Sequence, residues 1–263
     1  MDLGLKGKVA VVAAASQGLG RAIAEELANE GARVALCSRD QERIEAAAAD
    51  IRQKTGGEVL PVVADVTKPA EVDRFVQAAR ERWGSVHIAV ANAGGPPAKE
   101  FAATTLEDWQ EAVDLNLMSS VHLARAVLPQ MRRQGWGRLI FLTSASVKQP
   151  IEGLLLSNSV RSAVAGLSKS LANECAAENV LVNIVCPGFL RTERLDELAA
   201  TLSEKKGVTP EKIFQAWTAQ IPLARLGEPR ELAALVAFLA SERASYITGT
   251  AIAVDGGRTR SLL

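Results

Sequence analysis

The stretch Ala14-Ala15-Ser16-Gln17-Gly18-Leu19-Gly20 lies between an apolar run and a helical pattern that begins near Arg21. Glycine here lets the backbone approach a pyrophosphate, and the following helix N-terminus offers unpaired N–H groups and a partial positive charge. Two glycines in such a place also make an ordinary strand-to-helix turn. After the next apolar run comes Ser38-Arg39. An NAD-binding chain usually carries an acid there for the ribose hydroxyls, whereas a hydroxyl and a guanidinium suit a 2′-phosphate. On the alternative reading Arg39 only caps or solvates the helix starting near Asp40. No His/Cys cluster or carboxylate pair has metal-ligand spacing, and His87 and His122 fall at a strand start and within a helix.

Positioning such residues takes a scaffold, and the pattern supplies one. Strands are predicted at Lys8 to Ala14, Arg33 to Cys37, Glu58 to Val63, Val86 to Ala91, Arg138 to Leu142, Val180 to Val185 and Ala251 to Val254. Longer amphipathic stretches alternate with them, at Arg21 to Asn29, Gln41 to Lys54, Pro69 to Trp83, Leu106 to Gln134 and Ser162 to Glu178. This alternation predicts an α/β fold, a doubly wound parallel sheet of about seven strands with helices on both faces. In such sheets ligands bind beyond the carboxyl ends of the strands where strand order reverses, so chemistry is expected just after each strand.

Composition narrows the function. With 30 Lys+Arg against 30 Asp+Glu the net charge is zero, which argues against nucleic acid or an anionic membrane as the main partner. No linker-like segment divides the 263 residues, so one domain is expected. The cysteines Cys37, Cys175 and Cys186 are widely spaced in apolar surroundings and read as small core residues of a reducing compartment. The opening MDLGLKGK lacks a signal-peptide stretch, and the longest apolar runs fall far short of a membrane span. A cytoplasmic location is expected.

Further motifs follow in order: Asp65-Val66 after the third strand, Asn92-Ala93-Gly94 after the fourth, Asn116 within a helix, and Ser144 after the fifth strand. Pro187-Gly188 with Thr192 follows the sixth, and Asp255-Gly256-Gly257 closes the last. Together with KVAVVAAASQGLGRAIA, GRLIFLTSAS and VLVNIVCPGFLRT, they resemble the short-chain dehydrogenase/reductase family over nearly the whole chain, nearest its 3-oxoacyl-acyl-carrier-protein reductase branch. The resemblance implies a Rossmann-type fold over 1–263 with a substrate lid at about 189–223. It implies a nicotinamide dinucleotide held by Ala14, Ser16, Gln17, Gly18, Leu19, Gly20, Ser38, Arg39, Asp65, Val66, Asn92, Ala93, Gly94, Arg161, Pro187, Gly188 and Thr192. Ser38-Arg39 favours NADP(H) over NAD(H), while Gln17 stands where many NADP-using relatives carry a basic residue. The resemblance also implies a homo-oligomer, tetramer or dimer, and a small-molecule or acyl-thioester substrate.

The family's catalytic set is an Asn, a Ser, and a Tyr four residues before a Lys. Asn116 and Ser144 match, but Ser157 and Arg161 stand where the Tyr and Lys belong, and the only tyrosine, Tyr246, lies near the last strand and is expected to be structural. A serine hydroxyl is a far weaker acid than a phenol of pKa ~10, and a guanidinium stays charged and joins no proton relay. Losing a positioned general acid costs ~10²- to 10⁴-fold in rate. Lys148, in the loop after Ser144, is the best substitute donor, although a loop lysine is usually a solvated charge; Glu152 is weaker, and Asn158 is placed to hold a water or a substrate carbonyl. In the glycine loop, Ala13-Ala14 replaces the family's Thr-Gly and Ala91 replaces an Asn. Ala14 is tolerable only at negative φ, and Ala13 should meet Ala91 across adjacent strands. In the lid, Arg191, Arg194, Lys205 and Lys206 suit an acidic carrier or a phosphorylated thioester, but with acids interleaved they read mainly as a solvated face. The expected protein is an NADP(H)-dependent oxidoreductase acting on a carbonyl/alcohol pair, 3-oxoacyl thioester reductase-like with an atypical proton-donor site, with catalytic candidates Ser144, Asn116, Arg161, Ser157 and Lys148. The rival expectation is a catalytically silent NADP-binding sensor or structural subunit.

Overall fold

The computed structural model describes residues 2–262. Strands β1 (Val9–Val12), β2 (Arg33–Ser38), β3 (Val59–Val63), β4 (Ile88–Ala91), β5 (Gly137–Leu142), β6 (Val180–Pro187) and β7 (Ala251–Val254) form one sheet in the order β3-β2-β1-β4-β5-β6-β7. Every neighbouring pair is parallel. Strand order reverses between β1 and β4, so a crevice opens beyond their carboxyl ends.

The strands are short apolar runs because both faces are covered. Side chains alternate along a strand. Val9 and Val11 of β1 therefore face one layer, with Phe75, Val127 and Val164, while Ala10 and Val12 face the other, with Ile23, Ile44 and Leu232. The first layer is built by α3 (Pro69–Trp83), α5 (Ser119–Arg133) and α6 (Leu155–Cys175), the second by α1 (Gly18–Asn29), α2 (Gln41–Thr55) and α9 (Pro229–Ala240). A short helix α4 (Leu106–Ala112) precedes α5, and α7 (Glu193–Lys206) and α8 (Pro210–Thr218) lie between β6 and α9. These two have a small core of their own around Leu195, Ala199, Ile213, Trp217 and Ile221.

The predicted elements are present, with three instructive differences. The first strand stops at Val12 because Ala14 turns left-handed, at φ +48°. The predicted Leu106 to Gln134 helix is α4 and α5 joined by a π-helical segment, Val113–Met118, that contains Asn116. The predicted helix at Ser162 begins earlier, at Leu155, so Ser157 and Arg161 are helical. Cys37, Cys175 and Cys186 are free and buried, as expected of core residues. Among the described residues no helix is long and apolar enough to cross a membrane.

Candidate active site

Beyond the β1/β4 switch point lies a cleft of about 960 Å³. Of the residues singled out from the sequence as site residues, all but Gly20, Asn116 and Lys148 line it.

One end is built from backbone. The residue before α1, Gln17, makes no side-chain cap and the first turn carries no acid, so the N–H groups there are left for a ligand. Gly20 has no room for a side chain: a Cβ would collide with the Ala14 carbonyl and stand 2.7 Å from Asn92 Nδ2. Asn92 fixes the loop by donating from Nδ2 to that carbonyl at 3.0 Å. Gly188 is equally constrained, since a Cβ would stand 2.5 Å from the Asp255 side chain. The expectation that Ala14 keeps negative φ is overturned. It holds a left-handed conformation that costs an L-residue roughly 1–2 kcal/mol, and it is held there because Ala15 N–H donates to Cys37 O at 2.9 Å while Ala14 O accepts from Asn92. Ala13 and Ala91 do meet, lining a small void of about 10 Å³ with Ser119.

Beside this loop lie the groups that would read the adenosine half of a dinucleotide. Asp65 Oδ1 accepts from the Thr67 N–H and hydroxyl, a turn role, while its Oδ2 has no partner among the described residues. Ser38 Oγ donates to Asp40 O at 2.9 Å. Asp40, not Arg39, caps α2, accepting from Arg43 N–H at 3.0 Å. Arg39 is exposed on the cleft wall. Arg43, which sequence reading missed, also lines the cleft, and its Nη1 donates to Gln17 Oε1 at 3.0 Å. Its guanidinium therefore stands beside the position where Gln17 left a basic residue wanting.

The opposite end is built from side chains at the ends of β4 and β5 and the start of α6. Ser144 Oγ accepts from Ser146 N–H at 3.1 Å and faces the cleft, as does the buried Ser157. One turn further along α6, Arg161 is only 8% exposed. Its Nη1 donates to the carbonyls of Leu142 (3.3 Å) and Thr143 (3.1 Å) and its Nη2 to Gly94 O at 3.2 Å. Burial, reinforced by the nearby Arg194 charge, pushes the Arg161 pKa down to about 10. Asn116 sits behind the wall, where its Nδ2 donates to the same Gly94 carbonyl at 2.8 Å and its buried Oδ1 has no partner among the described residues.

Several candidates fall elsewhere. Lys148 is not in the cleft wall; it ends the short turn Ala145–Val147 after β5. Asn158 bonds Ile151 with both ends of its amide, accepting its N–H at 3.2 Å and donating to its carbonyl at 2.9 Å, so it clamps the loop, and it is not in the cleft lining. Glu152 is exposed. Tyr246 is fully exposed, which corrects its expected structural role, and no phenol lines the cleft. Of the lid cations Arg191, Lys205 and Lys206 are solvated, but Arg194 lines the cleft, bonded to Pro96 O at 3.2 Å. Arg258, beyond the Asp255-Gly256-Gly257 turn, lines it too and was not singled out from the sequence.

The family model described as Enoyl-(Acyl carrier protein) reductase matches residues 13–259. The chain is 36% identical over 257 residues to the 3-oxoacyl-[acyl-carrier-protein] reductase FabG of Aquifex aeolicus, covering 98% of this chain and 99% of that one. It is 37% identical to the Dehydrogenase/reductase SDR family member 4 of Oryctolagus cuniculus, over 96% of this chain and 94% of the relative. Among solved structures, L-sorbose reductase from Gluconobacter frateurii, complexed with NADPH and L-sorbose, superposes with a TM-score of 0.94 at 37% identity over the full length of both chains. An actinorhodin polyketide ketoreductase with NADPH gives 0.93 at 32%, covering 97% of this chain and 98% of that one. With a family model matching residues 13–259 and relatives 36–37% identical over nearly their whole length, the chain belongs to the short-chain dehydrogenase/reductase family of oxidoreductases.

Proposed function

We propose that the protein is an NADP(H)-dependent reductase of a carbonyl substrate, related to the 3-oxoacyl thioester reductases, in which Ser157 and Arg161 stand where the family carries its Tyr and Lys. The observation that carries this reading is the joining, in one cleft, of an uncapped glycine-loop helix and two guanidinia at one end with Ser144, Ser157 and Arg161 at the other. The cleft fits the dinucleotide: the helix N–H groups suit its pyrophosphate, Asp65 Oδ2 suits its adenine amino group, and Arg39 with Arg43 suits a 2′-phosphate. The bound nicotinamide supplies the hydride.

The chain's own residues do the rest. Arg161 holds the nicotinamide ribose, kept in place by three carbonyls. Asn116 fixes Gly94, one of those carbonyls. Ser144 donates to the substrate carbonyl oxygen and polarises it, and the Ser157 hydroxyl completes the pocket as the group nearest in role to the missing phenol. Without a phenol, turnover is expected ~10²- to 10⁴-fold below that of an enzyme with a positioned acid.

The test is NADPH oxidation with a short 3-oxoacyl thioester, by the natural protein and by the Ser157→Tyr, Arg161→Lys double variant. Slow turnover that rises in the double variant supports the reading. NADPH binding with no turnover in either protein would leave a dinucleotide-binding sensor or structural subunit, and no NADPH binding would sink both.

A further inference from the structure

The charge lining the cleft is divided by position. Its carboxylates lie toward the cofactor's phosphates and adenosine: Asp40 caps α2, Asp65 follows β3, and Glu193 Oε2 lies 3.8 Å from where a Gly18 Cβ would stand. Among the described residues the substrate end has none. It has instead three guanidinia, Arg161, Arg194 and Arg258, which line the same cleft as Ser144 and Ser157.

Each of the three is held in place by groups that leave its charge unneutralised or only loosely paired. Arg161 has carbonyl partners only. Arg194 turns back over the strand-end loop to Pro96 O, with its Nη2 3.6 Å from where a Gly95 Cβ would stand; its one carboxylate contact, Glu197 at 3.4 Å, is on the exposed side of α7 and outside the lining. Arg258 is half-buried, its guanidinium carbon 4.6 Å above the Phe189 ring, and Phe189 is in turn stacked on Trp217 at 4.9 Å. Its Nη2 donates to Gln220 Oε1 at 3.2 Å, and its buried Nε has no partner among the described residues. Asp255, the nearest acid in sequence, spends its carboxylate on the Gly257 and Thr259 N–H groups.

Asp255 favours the Arg258 charge from a distance but forms no ion pair with it; stacked on an aromatic ring and bonded to a neutral amide, the guanidinium is oriented, and its planar fork matches a carboxylate in two bonds. We infer that the substrate is a carbonyl compound bearing a carboxylate remote from the reacting carbon, with Arg258 as the principal anchor and Arg194 closing over it from the lid. This inference rests on the reading of the cleft as a reductase site and names the substrate class of that site. The apolar lining between, Phe189, Leu195, Leu198 and Ile151, suits the methylene chain that separates the two groups.

The test is calorimetric titration of the NADP⁺-saturated protein with 4-oxopentanoate, 5-oxohexanoate and 6-oxoheptanoate and with their methyl esters. At least one acid is expected to bind about 10-fold or more tightly than its ester, a tenfold being the size of one good charge-assisted bond. In Arg258→Gln the preference should fall below about 3-fold while NADP⁺ binding stays unchanged, and in Arg194→Gln it should fall by less. Equal affinities for acids and esters, or a preference that survives both substitutions, would overturn the inference. Failure of the reductase reading is read separately. An acid that binds selectively but is not reduced with NADPH breaks that reading and leaves the carboxylate site standing.

Discussion

At the glycine loop the cleft is made of main chain, with α1 N–H groups, a Gly20 that admits no Cβ, and an Ala14 carbonyl held by Asn92. At the end of β5 it is made of side chains, with two serine hydroxyls and a buried guanidinium held by three carbonyls. A main-chain site is fixed by sterics, so it carries a methyl at Ala14 but admits none at Gly20. A side-chain site can exchange its acid and its cation while the carbonyls that orient them stay where they are. On the proposed reading, that difference lets the groups at the end of β5 vary while the backbone of the glycine loop stays closed to a side chain at Gly20.

The comparison can be broken at either end. The largest effect is expected from Gly20→Ala, whose methyl would collide with the Ala14 carbonyl. NADPH affinity should fall at least about 100-fold, ~2.7 kcal/mol, in a fluorescence titration, and an unchanged affinity would mean that the loop does not hold the phosphates. Next comes Arg161→Met, which strips the donor from three carbonyls and should cost about 2–3 kcal/mol in urea unfolding, with Arg161→Lys recovering part. If stability did not move, the buried guanidinium would not be what ties α6 to β4 and β5. Arg43→Ala should weaken NADPH binding ~10-fold and leave NADH alone, and equal losses for both cofactors would assign Arg43 a merely structural role. The smallest change is a gain. Ala14→Gly relieves a left-handed alanine and should add ~0.5–1 kcal/mol to thermal stability, and a loss would show that the methyl packs usefully against its neighbours.

Much of the scaffold was legible because alternating apolar runs and amphipathic helices leave only a parallel sheet, and because the motifs fall at its carboxyl edge. What escaped was tertiary. Arg43 has no signal of its own; it matters because its guanidinium reaches Gln17 on another element. Arg194 reads as one more charge on a solvated helix, and only the path of the loop after β4 shows that it turns inward to Pro96. Arg258 follows the last strand and enters the site through its stacking on Phe189. The start of α6 was placed late because Ser157-Asn158-Ser159 interrupts the apolar periodicity, although Ser157 faces the cleft and Ser159 Oγ returns to Leu155 O at 3.0 Å. For Asn158 and Lys148, which the structure leaves out of the cleft lining, sequence gives a polar residue in a loop but not the direction it points.

On the proposed reading the cleft poses a carbonyl carbon against bound NADPH and completes the reaction without a phenol. That reading is tested most directly by incubating the natural protein with NADPH deuterated at the nicotinamide C4 transferring position, together with a short 3-oxoacyl thioester and an oxo acid, and analysing the alcohol by mass spectrometry. Deuterium at the former carbonyl carbon, appearing slowly and more rapidly in the Ser157→Tyr, Arg161→Lys double variant, is the expected result. NADPH bound at the cleft with no labelled alcohol from either protein would contradict it.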